Sequence, residues 1–250
     1  MIRVILSGCC GYMGRVLTEM IASEPDMEIA AGIDLIKKDD LGYPVFTDPS
    51  ACDVPADVMI DFSNFRAVDS LLDFCVGKEL PLVLCTTGLT EEQLAKVRED
   101  SGKIAILRSA NMSVGINLLM KLLKEAAAKL APAGFDMEIV EKHHNRKIDA
   151  PSGTAIALGE SMNEALNSEY HFVYDRSERH EKRDAKEIGI SAVRGGTIVG
   201  EHEIIFAGQD EVITFRHTAY SRALFARGAV EAAKYLAGKP AGLYDMSQVV

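Results

Sequence analysis

The chain has 250 residues, 27 of them Lys or Arg and 37 Asp or Glu, so its formal charge is −10. Hydrophobic residues make up 48% and charged residues 26%, a globular balance that excludes bulk disorder. The acidic excess argues against nucleic acid or an anionic membrane surface as a partner, and no apolar run approaches the roughly 20 residues of a spanning helix.

The opening segment 1–6, ended by Gly8, is too short for a secretory signal, so a cytoplasmic home is expected. The cysteines are Cys9, Cys10, Cys52, Cys75 and Cys85. Their odd number and the lack of any C-x-x-C pair point to reduced thiols rather than disulfides or a zinc site.

In chain order, 2–6 is a β-branched strand. Residues 13–21 set Met13, Val16, Leu17, Met20 and Ile21 on one helical face. Strands are predicted at 27–33, 58–62, 80–85 and 104–107, with a helix over 68–76 and another capped by Thr90, whose first turn carries Glu91 and Glu92. This alternation predicts a parallel sheet covered on both faces. After about residue 111 the pattern changes. A long amphipathic helix over 114–130, a strand at 135–141 and a helix over 153–166 precede strands at 188–193, 200–207 and 212–218, joined by glycine turns. A last helix spans about 221–237. The expected fold class is α/β: an N-terminal Rossmann-like domain with a parallel sheet (1–112, with 221–250 packing back on it), then an α+β domain with a mostly antiparallel sheet (113–220). The mixed-charge run 175–187 reads as a solvated loop.

Gly8-Cys9-Cys10-Gly11-Tyr12-Met13-Gly14 joins the first strand to the first helix. A dinucleotide site needs glycines there for a sharp turn, for close approach of backbone N–H groups to a pyrophosphate, and for helix–strand packing. The helix N-terminus then faces the phosphates. The spacing is G-x-x-G-x-x-G, weaker alone than G-x-G-x-x-G, but Asp34 ends the second strand where a ribose-binding acid is expected. Asp34 also reads as an ordinary strand-end turn residue. An acid there favours NAD, whereas Lys37 and Lys38 could offset the 2′-phosphate of NADP. The choice between NADH and NADPH stays open, with dual use favoured.

Segment 141–155, Glu141 to Ala155, carries His143, His144, Arg146 and Lys147 in an otherwise acidic chain. Pro151 and Ser152-Gly153-Thr154 then open a helix, which makes a carboxylate or phosphate seat. A His can exchange protons near neutral pH and a nearby Lys can orient or protonate a substrate. No carboxylate stands at zinc-ligand spacing with His143 and His144, so no metal site is expected.

These residues carry a resemblance. E-x-H-H-x-x-K-x-D-A-P-S-G-T-A over 141–155 is similar to the signature of the 4-hydroxy-tetrahydrodipicolinate reductase (dihydrodipicolinate reductase) family. The glycine loop, Thr86-Thr87-Gly88, the stretch Ala110-Asn111-Met112-Ser113, Arg194-Gly195-Gly196 and Ser221-Arg222 agree with it. The resemblance implies NAD(P)H-dependent reduction of a cyclic dicarboxylate at ring C4, with loss of water, in the diaminopimelate route to lysine. It implies His143 as general acid/base, Lys147 as proton donor, and His144, Gly153 and Thr154 as substrate contacts. Cofactor contacts are implied at Gly8, Cys9, Cys10, Gly11, Tyr12, Met13, Asp34, Cys85, Thr86, Thr87, Ser109, Ala110, Asn111 and Met112. A homotetramer assembled through second-domain strands is implied too. Cys10, Tyr12, Leu35 and Cys85 depart from common family residues, and the loss of arginines at 12 and 35 supports use of NADH. The competing readings are an aspartate dehydrogenase-like oxidoreductase of small amino or keto acids and a non-catalytic dinucleotide sensor; both leave the cationic segment unexplained.

Overall fold

The computed structural model describes residues 1–38 and 40–250. Its elements run β1 (Ile2–Ser7), α1 (Tyr12–Ala22), β2 (Met27–Ile33), β3 (Val45–Phe46), β4 (Val58–Asp61), α2 (Val68–Gly77), β5 (Leu82–Leu84), α3 (Glu91–Asp100) and β6 (Ala105–Leu107). They continue with α4 (Val114–Leu130), β7 (Asp136–His143), α5 (Gly153–Glu164), β8 (His171–Val173), β9 (Glu187–Arg194), β10 (Gly200–Ala207), β11 (Val212–Ala219), α6 (Ala223–Leu236) and β12 (Gly242–Tyr244). The chain divides into two compact units, Met1–Val114 with Ala223–Val250, and Gly115–Arg222. No helix among the described residues is long and apolar enough to cross a membrane.

In the first unit all strand pairs are parallel, in the order β12-β6-β5-β4-β1-β2-β3. Alternation on each strand feeds two cores. Val4, Leu6 and Ile60 face α1 and α6, against Leu17, Ile21, Ala229 and Val230. Ile5, Met59 and Leu82 face the opposite way, against Leu71 and Leu72 of α2 and Val97 of α3. Burying the central strands β1, β4, β5 and β6 on both faces is what makes these segments read as continuous apolar runs. Thr90 caps α3 as its position predicts: its Oγ1 accepts the Gln93 N–H at 3.2 Å, and the Gln93 side chain accepts the Thr90 N–H at 3.1 Å. The edge strands β3 and β12 have no counterpart in the sequence reading; each is two or three residues long.

The second unit holds a sheet of order β11-β10-β7-β9-β8. It is mixed: β10 pairs antiparallel with β11 and β7, whereas β9 runs parallel to both β7 and β8. The glycine turn 194–196 suggests β9 and β10 as neighbours, but β7 lies between them. Met137 and Ile139 of β7, Ile188 and Ile190 of β9, and Ile204 and Phe206 of β10 make one apolar face, covered by Leu123 of α4 and Leu158 and Met162 of α5.

Segment 175–187 is not merely solvated. Arg176 reaches Glu138 at 2.7 Å and Glu187 at 3.0 Å, Arg179 reaches Glu187 at 2.6 Å, and Arg183 reaches Asp136 at 2.7 Å. Gly189 makes room for this: a Cβ there would stand 1.8 Å from the Glu138 carboxylate. Burial pushes the Glu187 carboxyl up, but hydrogen bonds from Arg179 and Arg176 outweigh it and hold the group down to about 2, against an ordinary 4.5. A depressed carboxyl contributes stability that is complete above its unfolded value and is lost as pH falls through the folded one. The thermal midpoint is therefore expected to drop between about pH 4.5 and 2. Melts of Arg179→Ala should show a shallower drop over that window; an unchanged slope would contradict the assignment.

Candidate functional site

Each unit carries one candidate site. In the first, the strand order reverses between β1 and β4, so the chain leaves the sheet in opposite directions there and opens a crevice beyond the strands' carboxyl ends. A groove of about 670 Å³ occupies that place. Gly8, Cys10 and Gly11 line it after β1, Asp34 after β2, and Asn64 and Arg66 after β4.

Two glycines shape the loop. Gly8 has φ +78°, and a Cβ on it would stand 2.5 Å from the Phe62 carbonyl oxygen. A Cβ on Gly14 would stand 2.3 Å from the Gly8 carbonyl oxygen, so α1 lies against the loop only because Gly14 has no side chain. Gly14→Ala is expected to destabilise the protein by about 1–3 kcal/mol through overpacking, measured by urea unfolding; a cost near zero would contradict this.

The Asp34 carboxylate accepts the Cys10 N–H at 2.8 Å, tying the loop to the end of β2. The thiol of Cys10 donates to the Ile36 carbonyl at 3.2 Å. Cys9 lies against the same loop but its side chain is fully buried, packed onto Gly32. Burial pushes its thiol up to about 12. With its thiol buried under the loop, Cys9 would reach a dinucleotide in the groove only through its backbone.

The remaining sequence-predicted positions of this unit fall into two groups. Tyr12, Thr87 and Ala110 are exposed, while Ser109 and Asn111 are half-buried. Thr86 and Met112 are buried and Met13 and Cys85 pack onto the core. The Thr86 hydroxyl donates to Asp61 at 2.6 Å. Asp61 is fully buried, and that burial raises its carboxyl above the ordinary range despite hydrogen bonds from Ser63, Thr86 and Ser7. Met112 has its carbonyl against Gly228 of α6, where a Cβ would stand 1.6 Å away. Sequence reasoning passed over Asn64 and Arg66 because 62–67 carries no glycine signature; its position after the fourth strand was the available signal.

The second site forms where β7 ends. The Glu141 side chain is buried and its two oxygens take four donors. Oε1 accepts the Ser152 N–H at 2.9 Å and Arg194 Nη2 at 2.7 Å; Oε2 accepts Arg194 Nη1 at 2.8 Å and His143 Nδ1 at 2.6 Å. Burial pushes Glu141 up, but the bonds from Arg194 and His143 prevail and lower it, so it is a carboxylate. With Nδ1 donating to Glu141, proton exchange at His143 falls to Nε2.

His202 stacks edge-on to His143 with centroids 5.2 Å apart, and its Nε2 lies 3.1 Å from Ser152 Oγ. Burial, and then the neighbouring His143, push His202 down to about 4, so it is neutral. The turn is held from both sides. Gly195 donates its N–H to the His143 carbonyl at 2.9 Å, and Arg194 donates to the Asp149 carbonyl at 2.7 Å. Lys147 Nζ lies 2.8 Å from Asp149 Oδ1. Ser152 caps α5 by accepting the Ala155 N–H at 3.1 Å, which sets Gly153 and Thr154 in the first turn of the helix. Burial and the cations Arg146 and Arg222 lower His144, whose Nδ1 has no hydrogen-bond partner among the described residues.

The second unit thus brings together His143, His144, Lys147, Gly153 and Thr154. Sequence alone assigns Glu141 and Arg194 no role; the parallel register that pairs His143 with Arg194 supplies it.

Comparison with known proteins places both halves. Residues 2–112 match the model for the dihydrodipicolinate reductase N-terminus, and residues 115–250 the model for its C-terminus. The chain belongs to the dihydrodipicolinate reductase family. The 4-hydroxy-tetrahydrodipicolinate reductase of Clostridium novyi is 49% identical over 250 residues, covering 100% of this chain and 98% of the relative. That of Caldanaerobacter subterraneus subsp. tengcongensis is 50% identical over the same span and coverage. Among solved structures, the dipicolinate-bound dihydrodipicolinate reductase from Paenisporosarcina sp. TG-14 matches with a TM-score of 0.83 and 26% identity, covering 100% of each chain. The family models cover the cationic segment 141–155, the part that an aspartate dehydrogenase-like reading left unexplained.

Proposed function

We propose that the buried Glu141–His143 pair and Lys147 carry the proton chemistry of this chain's reaction. That reaction is the NAD(P)H-dependent reduction of 4-hydroxy-tetrahydrodipicolinate to tetrahydrodipicolinate with loss of water, in the diaminopimelate route to lysine. The observation that carries the activity is identity near one half, over the whole chain, with curated reductases of that substrate.

The groove fits a dinucleotide. Its volume lies within the usual range for ligand sites, and Gly8 and Gly14 let the loop fold tightly at the two points where a Cβ would collide with backbone. Gly8, Cys10, Gly11 and Asp34 would hold the phosphates and ribose, with Arg66 the cation across the groove. When bound, the reduced nicotinamide supplies the hydride that reaches ring C4. We assign both NADH and NADPH as donors. Leu35 offers no cation to a 2′-phosphate, while Lys37 and Lys38 follow within four residues of Asp34.

The substrate is a ring with two carboxylates, and the Paenisporosarcina relative holds the related dipicolinate. Cations at Arg146 and Lys147, and the start of α5 at Gly153 and Thr154, suit such anions. Asp149 pairs with Lys147 at 2.8 Å, and a substrate carboxylate would exchange with it there. Loss of the ring hydroxyl as water takes up a proton at oxygen, and the reduced ring takes up charge that a nearby ammonium steadies. His143 Nε2, with Nδ1 held by Glu141, exchanges the proton. Lys147 donates or stabilises at the ring. Neutral His202 beside His143 adds no competing positive charge.

For assembly we propose a homotetramer through the sheet face opposite α4 and α5. Val140, Val193 and Ile205 share that face by register, beside the Arg216–Glu201 pair at 2.7 Å. Val140→Asp with Ile205→Asp is expected to cut the mass in light scattering to about one quarter, since a charge facing an apolar interface is left unpaired. An unchanged tetramer would refute the interface, and a wild-type monomer would refute the assembly.

The activity is tested by generating the substrate in situ with the preceding synthase and following reduced-nicotinamide absorbance. Oxidation is expected with NADH and with NADPH separately. Oxidation with one alone would overturn dual use, and oxidation with neither would overturn the reaction.

A further inference from the structure

The glycine loop contains a feature that neither hydride transfer nor phosphate binding requires. Cys9 and Cys10 place their sulfurs 3.9 Å apart, and a ligand oxygen of Asp34 lies within 4.8 Å of both. Two thiolates on one tetrahedral zinc stand about 3.8 Å apart, given Zn–S bonds of about 2.3 Å. The sulfurs therefore already have the separation of one edge of such a site. The third donor stands beside the pair, because the Cys10 N–H holds the Asp34 carboxylate over the loop at 2.8 Å, and an ion would draw that carboxylate and the buried Cys9 thiol closer together.

We propose that Cys9, Cys10 and Asp34 form a three-donor site for a thiophilic divalent cation, Zn²⁺ or Cd²⁺, whose occupation excludes the dinucleotide from the groove. Two thiolates and a carboxylate are a donor set that soft and borderline cations prefer over Mg²⁺ or Ca²⁺. Binding releases the two thiol protons to solvent and forms two metal–sulfur bonds and one metal–oxygen bond, with no change of oxidation state. The fourth position faces the groove, because Cys10 and Asp34 both line it, and takes water. Exclusion follows from shared atoms. The Asp34 carboxylate cannot serve an adenosine ribose while it ligates an ion, and the ion and its water would stand where the loop receives phosphate. By linkage, cofactor and cation must each weaken the other by the same factor.

The pair escapes a search for zinc spacings because adjacent cysteines match no C-x-x-C pattern and the third donor comes from the next strand, 24 residues on. Adjacent side chains diverge on an extended strand. Here the positive φ of Gly8 turns the chain just before the pair.

The test uses the full-length protein and Cd²⁺, read by the ultraviolet thiolate-to-cadmium charge-transfer absorbance, which needs no activity. Wild-type protein is expected to develop the band with an end-point of one equivalent. Cys10→Ser, which keeps a donor for the Ile36 carbonyl, should lose the band at that equivalent, and Asp34→Asn should weaken binding about tenfold or more. Cys52→Ser should leave it unchanged. Saturating NADH should weaken Cd²⁺ binding about tenfold or more. No band in wild type, or a band that survives in Cys10→Ser, would overturn the site. A band indifferent to NADH would overturn the exclusion. The exclusion rests on the cofactor reading above, and nicotinamide fluorescence on metal-free protein separates the two: failure of NADH to bind there fails that reading and leaves the metal site standing on its own titration.

Discussion

Lys147→Ala and His143→Ala are each expected to lower kcat by about 10²-fold or more, the usual worth of a positioned acid or base. The basis is geometric. His143 ends β7 with Nδ1 bonded to a buried carboxylate at 2.6 Å, leaving Nε2 to exchange protons. Lys147 sits in the turn that Arg194 and Gly195 hold, with its ammonium 2.8 Å from Asp149. Lys147 is asked to do two things, to hold a carboxylate and to serve the ring, so its loss should raise KM as well as lower kcat. His143→Ala should act mainly on kcat. Steady-state kinetics with synthase-fed substrate separate the two, and activity within a few-fold of wild type for both variants would sink the assigned roles.

The second large effect is expected at Glu141. Its carboxylate joins His143, Arg194 and the Ser152 amide, so Glu141→Ala removes the charge that all three face. Breaking a buried ion pair from one side costs about 3–5 kcal/mol, and the 19% exposure of the Arg194 side chain puts the expected loss toward the lower end. kcat should fall about 10²-fold as the imidazole loses its fixed orientation. Glu141→Gln, which keeps the shape, should recover much of the stability but little of kcat. Equal recovery of both would reduce Glu141 to a purely structural residue.

Much of this was legible in the sequence because its signals are local. Doubly buried strands read as β-branched and aliphatic runs, α1 and α4 as 3.6-residue stripes, and the loop from Gly8 to Gly14 as a turn between them. The residues proposed to act in the second unit stand out in the sequence because they are contiguous: 143–154 is one turn and one helix start. What sequence could not supply was pairing between distant segments. Arg194 meets Glu141 only because β9 runs parallel to β7 in a register that sets Arg194 beside His143. Insertion of β7 between β9 and β10 is likewise a matter of sheet order, and the glycine turn at 194–196 misleads on it. The short strands β3, β8 and β12 carry too few residues for any periodicity. Arg176 and Arg183 read as part of a solvated run because their partners, Glu138 and Asp136, lie some forty residues away in the chain, and Arg179 because its partner Glu187 is buried only once β9 joins the sheet. The same blindness hid the third donor beside Cys9 and Cys10.

In the proposed reaction a hydride reaches ring C4 while the chain's own residues expel the hydroxyl as water. Its most direct test is the product formed from NADH deuterated at the transferred position of the nicotinamide, examined by mass spectrometry and NMR. One deuterium at ring C4 and a product lacking the hydroxyl oxygen are expected. Deuterium elsewhere, or a product that keeps that oxygen, would contradict it.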